Sequence, residues 1–131
     1  MILDLLFSLA LSILGIDIGL ASVYGLGEPW SGDVTASGQP VGVGIAHRTI
    51  PLGTRVLVCR LDRLRCVKTI TFDRGPYGCV PHEGTGWRVA GGRPRRCPHG
   101  WRFRGVADLS APVARELGYR DGLRPVVVVP L

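Results

Sequence analysis

The stretch "TFDRGPYG", residues 71–78, ends a β-branched run on a carboxylate, Asp73, and follows it with Arg74 and a Gly-Pro turn. A rigid turn at a strand end holds an acid in place without sinking it in the core. Such an acid suits proton transfer, provided that burial or a second acid raises its pKa enough to keep the proton near neutral pH. The plain alternative is an Asp73 that pairs with Arg74 or caps the turn.

The four cysteines offer a second chemistry. Cys59 and Cys66 flank "RLDRLR". A turn at Asp62-Arg63 sets Leu61 against Leu64, Arg60 against Arg65 and Cys59 against Cys66, close enough for a cross-strand disulfide. Cys79 and Cys97 bracket a glycine-rich segment that a second disulfide would staple shut, and two such bridges imply an oxidising compartment. A rival set for the second pair is Cys79, His82, Cys97 and His99, four zinc-ligand types at a spacing that fits no common finger; free thiols are the third option.

Around these residues the elements are mostly strands. The chain has 131 residues, 46% hydrophobic and 20% charged, enough for one globular domain with a real core. Nineteen glycines and ten prolines suit short strands and tight turns. "TRVLVCRL" and "RCVKTITF" read as strands, and the apolar run of "LRPVVVVPL" reads as a strand buried on both faces. "VADLSAPVARELGY" carries a short helix, with Ser110 as cap, Pro112 in the first turn, Val113, Ala114 and Leu117 as its apolar stripe, and Gly118 as its end.

The net charge is +6 and the pI about 9.8. No Lys or Arg precedes Arg48, and one basic concentration, "GGRPRRCPHGWRFR", reads as a loop with a basic face. Such a surface favours polyanions. Three Phe and three Tyr, scattered, give no stacking platform for a specific nucleic-acid partner. Residues 1–20 form a separate apolar unit, with Asp4 and Asp17 at either end of its uncharged run and no basic start. Three readings stand for it: a helix docking into a membrane or a protein assembly, a signal or anchor, or part of the domain core.

Five pieces occur in a fixed order: "ASVYG", "TASGQ", "AHRTIPLGTRVLV", "FDRGPYG" and "VADLSAPVARELGY". In this order they resemble the rare lipoprotein A (RlpA)-like family over about residues 21–131, interrupted by an insertion near 79–104. The resemblance implies a six-stranded double-psi β-barrel, mainly β, with one short inserted helix, here preceded by an N-terminal apolar helix. It implies no cofactor. It further implies a lytic transglycosylase that cleaves the glycan strands of peptidoglycan between N-acetylmuramic acid and N-acetylglucosamine and leaves an anhydro end. The expected setting is a periplasm or cell envelope, or a bacteriophage particle acting on a host envelope. The alternative is a catalytically silent glycan-binding or assembly module of the same fold.

Carried over by position, Asp73 is the family's acid in "DRGP", His47 the histidine of its "AH-x-x-x-PLGT" motif, and Asp108 the acid of "DLS". Gln39 stands where active members usually have a glutamate; it can hydrogen-bond sugar but cannot exchange a proton. On this reading Asp73 is the acid–base residue, His47 orients it or binds sugar, and Asp108 tunes its pKa or shares its proton. Tyr24 and Trp30 stack on sugar rings, and Thr35, Ser37, Gln39 and Arg74 contact the substrate. Read as ordinary structure, His47 is a hydrogen-bonded barrel residue, Asp108 the lead into the helix, and Tyr24 and Trp30 partial core.

Overall fold

The computed structural model describes residues 14–24, 42–89 and 93–131, together with residues 2, 3 and 6. Its elements are β1 (Asp17–Tyr24), β2 (Ile45–Ala46), β3 (Arg55–Arg60), β4 (Cys66–Asp73), β5 (Gly78–Pro81), β6 (Arg88–Val89), β7 (Trp101–Phe103), β8 (Ala107–Ser110), α1 (Ala111–Leu117) and β9 (Arg124–Pro130). Six strands close into a barrel in the order β1-β8-β2-β4-β3-β9. The pairs β1–β8 and β2–β4 are parallel and the others antiparallel. The chain is therefore mainly β, with a closed six-stranded barrel and one short helix, as expected.

Side chains of alternating positions fill the barrel. Val56 and Val58 of β3, Leu109 of β8, and Val126 and Val128 of β9 are fully buried. The apolar run of β9 had suggested burial on both faces; Val127 and Val129 are only half-buried, because β9 pairs with β1 and β3 at its edges while one of its faces looks outward. Helix α1 closes the core with Val113, Ala114 and Leu117 and ends at Gly118 in the left-handed conformation (φ 81°). Arg60, opposite Arg65 in the β3–β4 turn, escapes its like charge by binding Asp62 and the helix-terminal carbonyl of Leu117.

Ser110 occupies the N-cap position but makes no side-chain cap. Its Oγ accepts the Gly44 N–H at 3.0 Å and so ties β8 to the approach to β2. Ser110→Ala leaves that buried N–H unpaired, and thermal unfolding is expected to show a loss of about 1–2 kcal/mol, or roughly 3–7 °C.

Strands β5, β6 and β7 form a three-stranded antiparallel sheet, ordered β6-β5-β7, beside the barrel. Residues 93–100 of the basic segment are loop, as expected, and Trp101–Phe103 at its end are β7. One expectation needs correction. The N-terminal segment is not a helix through residue 20, because residues 17–20 already belong to β1 and pair with β9. Gly19 permits this, since a Cβ there would come within 2.6 Å of Val106. Ile2, Leu3 and Leu6 are helical and exposed; the rest of residues 1–13 lies outside the described residues. Among the described residues no helix is long and apolar enough to cross a membrane.

Candidate active site

Strand β2 lies between β8 and β4 in the barrel, and Ala46 is in register with Asp108 on one side and Asp73 on the other. Two acids that are 35 positions apart in sequence thus flank one alanine at one level of the barrel. Asp108 is also in register with Ser22 of β1, whose hydroxyl donates to Asp108 Oδ1. Asp73 Oδ1 accepts the N–H of Arg74 at 2.8 Å, which starts the turn. The Gly75–Pro76 bond is cis, and Gly75 has φ 131°, a region that L side chains rarely adopt. A Cβ at Gly75 would lie 3.5 Å from Asp108 Oδ2, so the turn passes directly over the second acid.

Asp108, Ser22 and the Arg74–Gly78 turn that follows Asp73 line a cleft of about 400 Å³ together with Tyr24, Trp87 and Arg104. Burial pushes the Asp108 carboxyl up to about 6 from its ordinary 3.8, and the Asp73 charge adds to the rise; the Ser22 hydrogen bond and the Arg104 and Arg48 charges oppose it. Burial, aided by the charges of Asp73 and Asp108, also raises the Tyr24 phenol well above its ordinary range. The Tyr24 ring stacks on Phe72, with centroids 6.2 Å apart, and its buried hydroxyl has no hydrogen-bond partner among the described residues. Tyr24 is thus both partial core and a phenol beside the two acids.

Arg48 secures the turn. Its Nη1 donates to Pro76 O and Gly105 O, both at 2.7 Å, and its guanidinium lies 3.8 Å from the Phe103 ring centroid. Arg74, expected to touch substrate, lines the cleft but directs Nη1 at the carbonyls of His47 (3.1 Å) and Ile50 (2.5 Å).

His47 stands apart from the two acids. It is 3% exposed. Its Nδ1 accepts the N–H groups of Thr49 (3.1 Å) and Ile50 (3.0 Å), so the ring proton belongs on Nε2, which faces Asp17 Oδ2 at 2.5 Å. Its side chain lines a separate hollow of about 340 Å³ with Asp17 and Pro130. Only its backbone meets the acid strand, through His47 N–H to Asp73 O at 3.1 Å. In this arrangement the imidazole organises the "HRTIP" turn rather than orienting the Asp73 carboxylate.

Both expected disulfides are present: Cys59–Cys66 with Cα atoms 4.0 Å apart, and Cys79–Cys97 with Cα atoms 6.0 Å apart. The second consumes two thiols of the alternative zinc set with His82 and His99, which therefore does not exist as a ligand set. Trp30, Thr35, Ser37 and Gln39 lie outside the described residues. The site residues not anticipated are Ser22, Arg48, Tyr77, Arg104 and Trp87. Ser22 reaches Asp108 across 86 positions through parallel pairing, for which the sequence carries no local sign. Trp87, an aromatic among the glycines of "EGTGWR", carried a local sign.

No family model matches the chain. Two curated proteins are similar to it, both called probable endolytic peptidoglycan transglycosylase RlpA. One, from a Nostoc species, is 42% identical over 62 residues, covering 45% of this chain and 17% of that protein. The other, from a Synechocystis species, is 36% identical over 115 residues, covering 86% of this chain and 28% of that protein. The chain therefore spans less than a third of the length of either relative. With this likeness, the motif order and the closed six-stranded barrel, the chain carries a domain of the RlpA-like family.

Proposed function

We propose that this domain is a lytic transglycosylase acting on the glycan strands of peptidoglycan. The observation that carries the proposal is the pair of carboxyl groups flanking Ala46, one with its pKa pushed up to about 6, beside an open cleft. Asp108 holds a proton up to about pH 6 and, in that form, delivers it to the glycosidic oxygen as the bond from the muramic acid C1 breaks. The 6-hydroxyl of the same sugar then bonds to C1, and its proton passes to the Asp108 carboxylate. One C–O bond breaks, one forms, the proton returns, and no water is consumed. The Asp73 charge raises the proton affinity of Asp108. Two disulfides fit the oxidising envelope in which peptidoglycan is found.

The test is a digest of purified peptidoglycan with products read by mass spectrometry. Anhydro-ended muropeptides support the proposal; reducing ends indicate a hydrolase on the same barrel. No product, with the protein still pelleting with the wall, leaves a glycan-binding module. The rate should also depend on pH. With Asp108 required in its acid form, kcat/KM is expected to fall about tenfold per pH unit above about pH 6. A rate that stays level from pH 5 to about 8 would remove Asp108 from the proton-donor role.

A further inference from the structure

The sheet that fills the 79–104 insertion brings an aromatic group to the cleft. Trp87 is 56% exposed, yet it lines the same cleft as Asp108 and Tyr24. Its indole is held in place: the Arg104 guanidinium carbon lies 4.7 Å from the ring centroid. Arg104 in turn follows β7, which pairs with β5, and the fully buried Cys79 of β5 is bonded to Cys97. Tyr77 lines the cleft beside it and packs edge-on against Phe103, centroids 6.5 Å apart. A large indole left this exposed at the edge of a braced sheet, just before β6, and lining a cleft with an acid and hydroxyls, has the amphipathic character of a sugar subsite. The apolar C–H face of a pyranose covers the ring, while its hydroxyl edge meets polar groups.

We propose that the insertion supplies a stacking subsite in which Trp87 takes the apolar face of a pyranose ring of the glycan strand, with Cys79–Cys97 and Arg104 holding the indole at the cleft wall. The subsite rests on the glycan-strand reading above and names the side chain that grips the substrate. Arg104 touches Trp87 and also acts electrostatically on Asp108, so sugar seating and the proton donor share one neighbour.

The experiment compares wild type, Trp87→Ala and Trp87→Phe for binding to purified peptidoglycan sacculi by pelleting. It uses about 0.5 M salt, where screening suppresses adhesion through net charge, and anhydro-end release is measured in parallel. Trp87→Ala is expected to bind about tenfold more weakly and to raise KM by a similar factor with kcat little changed, while Trp87→Phe keeps most of the affinity. Unfolding temperatures of all three proteins should agree, because the indole is exposed. Trp87→Ala binding as tightly as wild type overturns the subsite whether or not the wild type is an enzyme. Weakened binding in Trp87→Ala, together with no anhydro ends from wild type, keeps the subsite and removes the transglycosylase reading. Wild type that does not bind sacculi overturns both.

Discussion

Asp108→Asn is expected to lose anhydro-end release by about 10²–10⁴-fold while becoming more stable at neutral pH. The two effects have one cause. Burial beside Asp73 pushes the Asp108 carboxyl up to about 6, against 3.8 ordinarily. The folded state therefore binds this proton more tightly than the unfolded chain does between about pH 4 and 6, and stability falls as pH rises through that window. Above it the accumulated loss is about 2–3 kcal/mol. Asparagine fits the same space, still accepts the Ser22 hydroxyl, and carries no charge to desolvate. Denaturant unfolding at pH 7 should show Asp108→Asn ahead of wild type by up to that amount, and the two should converge below about pH 4. Asp73→Asn in the peptidoglycan digest is expected to lose activity on a similar scale, and to lower the Asp108 pKa by removing a neighbouring negative charge. An Asp108→Asn protein that is less stable than wild type at pH 7 would contradict the desolvation account.

His47→Ala is expected to lower stability by about 3–5 kcal/mol, or roughly 10–15 °C in unfolding temperature. The imidazole, itself 3% exposed, accepts two backbone N–H groups through Nδ1 and donates through Nε2 to the part-exposed Asp17. Alanine leaves both amides without an acceptor and Asp17 without its partner. His47→Asn offers a side-chain oxygen to N–H groups two and three residues on, as asparagine does in turns, and should recover a good part of the loss. Activity separates a structural from a catalytic role. If His47 serves the turn, His47→Asn assayed well below its unfolding temperature keeps most of the anhydro-end release. Loss of activity in a folded, stable His47→Asn would place the imidazole back in the chemistry.

The barrel was legible because its evidence is local. Alternating β-branched runs specify strands without reference to partners, and the "RLDRLR" turn places Cys59 opposite Cys66 by counting outward from its centre. Asp73 was legible for the same reason, as an acid ending a strand at a Gly-Pro turn. The helix was found at its true position, but the role of Ser110 was not. A hydroxyl at an N-cap satisfies either the helix amides or a neighbouring strand, and only the arrival of Gly44 decided which.

Asp108 looked equally like a lead into α1 and an acid of the site. The difference lies in the β1–β8 and β2–β8 pairings, which put Ser22 and Ala46 beside it and Asp73 one strand further on. The motif order leaves His47 either orienting Asp73 or binding sugar; the β1 start at Asp17 turns the imidazole away from Asp73. The amino-acid sequence by itself determined strands β3, β4 and β9, the Cys59–Cys66 pair across its turn, the helix and the acid at the turn, because each depends on contacts or spacings within a few residues. The tertiary structure alone decided the burial that raises the Asp108 pKa, which way the histidine faces and that Trp87 stands at the cleft. Burial, charge proximity and register arise only when strands far apart in the chain close into one barrel.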